Sequence, residues 1–125
     1  MKRILLACLL VVGIGSQRVA AQTVVHVTAS EFTAKVNLLD SYLGSGNMTA
    51  ATATWDTVHH MMLNVLSYTK KSMNDAATPA EKSGYESVLL GQRNIYQAIW
   101  ALKNDLAGNR ATLHTKLGEF DLTIY

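Results

Sequence analysis

The stretch Asn74-Asp75-Ala76-Ala77-Thr78-Pro79-Ala80-Glu81 decides the fold. Thr78 carries a hydroxyl suited to cap a helix. Pro79 follows at the first helical position, where a missing N–H costs nothing. Glu81 stands three residues after the cap, where its carboxylate reaches back in a capping box. A helix therefore opens at Pro79, and residues 75–78 are a short link rather than a linker between domains.

Helical periodicity extends on both sides of this link. Upstream, Met48, Ala51, Trp55, Val58, Met62, Val65, Thr69 and Met73 recur at three and four over residues 47–74. Asn47 is a candidate N-cap there, and Lys70 and Lys71 occupy the last turns, where cations suit the helix dipole. Downstream, Tyr85, Val88, Gln92, Ile95, Ile99, Leu102 and Leu106 form a second stripe over 79–107, flanked by Leu89, Tyr96 and Trp100. Gly108 closes it. Two helices of about 28 residues, roughly 40 Å long, thus face each other across a tight turn.

Further outward, Thr28 and Glu31 form another capping box, with Val27 placed to staple onto Phe32. Phe32, Val36, Leu39 and Leu43 predict a helix over 28–43, with Gly44 as its left-handed end. Leu113, Leu117, Phe120 and Ile124 predict a last helix over 109–124. The links at 44–46, 75–78 and 107–109 are short, and short links make neighbours antiparallel. The expected architecture is an all-α, up-down-up-down four-helix bundle with two long central helices and two shorter outer ones.

The chain start reads differently. Met1-Lys2-Arg3 is cationic, Ile4 to Ile14 is apolar, and Val19-Ala20-Ala21 is a small-residue exit. That order predicts a secretory signal over 1–21, cleaved between Ala21 and Gln22, and a single helical domain over 22–125. The apolar run is too short for a bilayer that needs ~20 residues. An exported protein, periplasmic or secreted, is expected, with no membrane association in its mature form.

Cleavage removes Cys8, the single cysteine, and with it any disulfide, thiol nucleophile or thiolate ligand. Loss of Lys2, Arg3 and Arg18 takes the formal charge from +2 to −1. A near-neutral surface argues against nucleic acid as a partner. No C-x-x-C-H haem attachment occurs, and no cofactor is expected. His59 and His60 are adjacent, so on a helix they diverge by about 100° and do not share a metal; His114 falls near 10 Å from His59 along the bundle. The acidic residues lie off the apolar stripes, no nucleophile elbow is present, and the chain is not expected to be an enzyme.

Two candidate surfaces follow. Counting levels from the 75–78 link sets Trp55 beside Trp100, with His59 and Tyr96 one turn away. These four could line an interhelical pocket for a small apolar ligand or cofactor. The second surface is the hairpin tip. If the outer helices are short, Val65, Leu66, Met73, Tyr85, Val88 and Leu89 are left uncovered and available to a protein partner or a second copy. The leading expectation is an exported interaction module that dimerises through this tip, unless residues 22–28 extend helix one over it. Gln92, polar on an apolar stripe, is a candidate for setting register.

Overall fold

A computed structural model describes residues 27–122. The signal segment, its cleavage point, Cys8 and Ile124 lie outside them. The described residues form four helices and no strand: α1 (Ala29–Ser45), α2 (Met48–Asn74), α3 (Pro79–Trp100) and α4 (Arg110–Gly118), with a 3₁₀ turn at Lys103–Asp105. α2 packs on α1 and α3, and α4 packs on α1 and α3. The helices form a bundle around one apolar core.

The capping signals act as their chemistry requires. Thr28 Oγ1 accepts from the Glu31 amide at 3.1 Å, and Glu31 Oε1 accepts from the Thr28 amide at 3.3 Å. Thr78 Oγ1 accepts from the Glu81 amide at 3.1 Å, with Pro79 in the first helical turn. The Glu81 carboxylate, however, accepts from the Ala77 amide at 3.1 Å rather than from Thr78, so the expected reciprocal box does not close there. Asn47 Oδ1 accepts from the Ala50 amide at 3.2 Å. The stripes fill the core: Phe32, Val36, Leu39 and Leu43 from α1, Ala51, Trp55, Val58, Met62 and Val65 from α2, Ile99 from α3, and Leu113 and Leu117 from α4.

Three boundaries differ from the expectation. α1 continues through Gly44 to Ser45 and ends at Gly46, whose φ of 76° is the left-handed geometry glycine tolerates. Gly44 serves closeness instead: a Cβ there would come within 2.7 Å of the Arg110 guanidinium. α3 ends at Trp100 rather than near 107, and the chain crosses to α4 through turns. α4 ends at Gly118, short of 124, but its stripe carries on into the chain beyond, where Phe120 is buried and its ring lies 5.8 Å from Phe32.

That last segment matters for the hairpin tip. Gln92 is fully buried on α3. Its Nε2 donates to the Asp121 carbonyl at 2.7 Å, and its Oε1 lies 2.7 Å from Thr69 Oγ1 on α2. The opposite amide orientation would set Oε1 against the Asp121 carbonyl, acceptor on acceptor, so the hydrogen bonds fix which end is which. Thr69 shares its single proton between Gln92 and the Val65 carbonyl, 3.0 Å away. The polar residue on the apolar stripe thus ties together α2, α3 and the segment after α4.

Candidate functional site

Trp55 and His59 come from α2, one turn apart. Tyr96 and Trp100 come from α3, also one turn apart. The packing of α2 on α3 brings all four together, at the levels counted from the link. His59 is the hub. Its ring centroid lies 5.9 Å from Trp55 and 5.7 Å from Tyr96, both nearly parallel to it, and 4.8 Å from Trp100 at 35°. Tyr96 and Trp100 stack at 6.3 Å. Such ring pairs add roughly 0.5–1.5 kcal/mol each beyond the area they bury.

Polar contacts fix the hub. His59 Nε2 and the Tyr96 hydroxyl are 2.7 Å apart. Burial pushes the His59 imidazole below its ordinary range, with help from His60, so the ring is neutral at neutral pH. Burial likewise pushes the Tyr96 phenol up and keeps it protonated. One end of the cluster is covered and the other is open: Trp55 is 9% exposed, Trp100 41%. Lys103, from the turn after α3, places Nζ 4.9 Å from the Trp100 ring centroid, a cation–π contact. The apolar periodicity did not single out Lys103, because a lysine is not part of an apolar stripe.

His59 and His60 do not diverge as far as backbone direction suggests. Their ring centroids are 5.5 Å apart. A Cβ vector sets only where a side chain starts, and two χ angles bring these rings back toward each other. His60 Nδ1 donates to the Asp56 carbonyl at 2.8 Å and lies 3.6 Å from the Asp56 carboxylate. Asp56 and His60 are four residues apart on α2, a spacing that makes them neighbours on the helix surface. His114 lies elsewhere, in a shallow groove between α1 and α4 with Phe32, Val36 and Leu117.

The six tip residues divide. Val65 is wholly covered and Leu89 is 3% exposed, so neither is surface in this chain. Val27 and Phe120 belong to the same core cluster as Val65, and the Gln92–Asp121 bond carries the chain after α4 to that level. Leu66, Met73, Tyr85 and Val88 are half-buried. Of the residues 22–28 that could have extended helix one, 22–26 lie outside the described residues, and α1 itself begins at Ala29 with Thr28 as its cap. The exposed apolar residue of this region is Leu90, at 61%, one that the stripe did not pick out.

No helix among the described residues is long and apolar enough to cross a membrane. No family model matches the chain, and no curated protein or solved structure matches it either.

Proposed function

We propose that the chain is an exported binding module, an up-down-up-down bundle released by cleavage between Ala21 and Gln22, that takes a flat apolar ligand on the aromatic face of α2 and α3. The observation that carries this reading is the half-open ring cluster. Three rings surround a neutral imidazole at 4.8–5.9 Å, and the outermost, Trp100, turns a large apolar surface to solvent. A ring-bearing ligand would stack there and dehydrate Trp100. Cross-helix pairs support antiparallel neighbours: His59 with Tyr96 and Thr69 with Gln92 rise and fall in opposite order. Neither catalysis nor a membrane or nucleic-acid partner forms part of this reading.

The test is a titration with an uncharged naphthylamine fluorophore. Saturable binding with a blue shift is expected, lost in Trp100→Ala and retained in Leu90→Lys. Equal binding by Trp100→Ala would sink the proposal. A second reading, self-association through the hairpin tip, is favoured by the 61% exposure of Leu90 on α3. Its measurement is light scattering. A dimer mass at micromolar concentration, reverting to monomer in Leu90→Lys, supports it, and a monomer in the unaltered chain removes it.

A further inference from the structure

Asp56, His59 and His60 lie on one turn of α2. Each offers one ligand atom, and the three atoms lie within 4.8 Å of one another. The arrangement follows from helix geometry, in which residues three and four apart are neighbours, so the Asp56 carboxylate stands beside both rings.

His59 is held in a way that suits a ligand imidazole. Metal-bound histidines hand their other ring N–H to a neighbouring group, which fixes tautomer and orientation. Here Nε2 faces the Tyr96 hydroxyl at 2.7 Å. With the proton on Nε2, the lone pair is left on Nδ1. Stacking on Trp55 and Tyr96 holds the ring plane. Asp56 and His60 are the adaptable members, with side chains 70% and 63% exposed.

We propose that Asp56, His59 and His60 form a three-ligand site for a divalent late first-row transition ion, with water completing its coordination. Two imidazoles and one carboxylate suit copper, nickel and zinc rather than calcium or magnesium, which take oxygen ligands. Among the former, Cu²⁺ binds tightest to nitrogen and oxygen donors. Metal–nitrogen bonds of about 2.0–2.1 Å draw the ligand atoms closer than they now stand. Rotation of the two exposed side chains supplies that movement, and His60 gives up its bond to the Asp56 carbonyl if Nδ1 is the atom used. The site shares His59 with the ring cluster but does not rest on an organic ligand binding there.

The experiment is a Cu²⁺ titration of the purified chain carrying Cys8→Ser, which removes a competing thiol. Tryptophan fluorescence is the readout, with native mass spectrometry for stoichiometry. Trp55 and Trp100 flank His59, so a bound Cu²⁺ quenches both. Saturable quenching at one ion per chain is expected. Asp56→Asn and His60→Gln, both at exposed positions, are each expected to raise the Kd at least ~10-fold, with circular dichroism unchanged. Tyr96→Phe leaves all three ligands in place and is expected to raise it about 10-fold, the scale of a lost orienting partner. Quenching that never saturates, or a Kd unmoved by both Asp56→Asn and His60→Gln, overturns the proposal.

Discussion

Asp40 and Arg110 are seventy residues apart in sequence and meet as a bidentate pair, Nε to Oδ1 at 2.8 Å and Nη2 to Oδ2 at 3.1 Å. Gly44 leaves the room in which the guanidinium lies. The guanidinium holds the Asp40 carboxyl below its ordinary value of 3.8. A depressed carboxylate stabilises the fold above its unfolded pKa and loses that contribution as pH falls through its folded one. The stability difference between the unaltered chain and Asp40→Asn is therefore expected to be full at neutral pH and to vanish on acidification below about 3.8. Thermal melts across that range at low salt check it, and added salt shrinks the difference because both groups are partly exposed. Gln92 is the opposite kind of residue, buried and uncharged. Gln92→Leu removes the donor to the Asp121 carbonyl, and losing one partner of a buried hydrogen bond costs about 1–3 kcal/mol. Adding Thr69→Val to it should cost less than the two single losses summed, since the pair shares one bond. A strictly additive cycle in urea unfolding would show that the two do not act together.

At the scale of the element, the link after α3 shows what periodicity could and could not reveal. The stripe through Leu102 and Leu106 predicts helix, and Leu106 is buried, yet the backbone leaves the α-helix at Trp100. Periodicity reports where side chains must go, and a run of 3₁₀ turns can send the same residues inward. The amides of Leu102 and Asp105 bond three residues back, to Ile99 and Leu102. Lys103-Asn104-Asp105 favours this, because Asn and Asp compete with the helix for backbone hydrogen bonds. The capped starts at Thr28 and Thr78 were legible for the converse reason, that each cap is a local bond. The level of the aromatic cluster was legible because a tight hairpin turns sequence distance into height. The Asp40–Arg110 pair and the rotation of His60 toward Asp56 were not, since they depend on side-chain torsions and tertiary register. In the link, Asp105 Oδ1 accepts from the Gly108 amide at 2.9 Å, and a Cβ on Gly108 would run into that carboxylate. Gly108→Ala is expected to lower stability by roughly 1 kcal/mol, the scale of one hydrogen bond. An increase in the urea midpoint, the usual result of Gly→Ala at an unstrained position, would contradict this.

At the scale of the molecule, both ends of the described chain close on the same region. Val27 is buried just before α1, Phe120 just after α4, and the Asp121 carbonyl sits on Gln92. Short outer helices were expected to leave the central hairpin bare from Val65 onward. Instead, the chain after α4 reaches that level through the Asp121–Gln92 bond, and of the residues nearer the link Leu89 is buried while Met73, Tyr85 and Val88 are half-buried. The segment after Gly118 should therefore contribute far more stability than its length suggests. Deleting 119–125 removes the Phe120 ring from Phe32 and the acceptor from Gln92. Loss of a buried phenylalanine alone costs about 3–5 kcal/mol, a large share of the 5–15 kcal/mol typical of a whole domain. The shortened chain is expected to melt well below the unaltered one and to gain mass with concentration, as the uncovered apolar level seeks a second copy. Phe120→Ala in the full-length chain separates the two contributions, since it removes the ring but keeps the Asp121 carbonyl on Gln92. It should reproduce most of the lost stability with less of the self-association. An unchanged melting temperature in the shortened chain would mean that this segment is not what covers Val65.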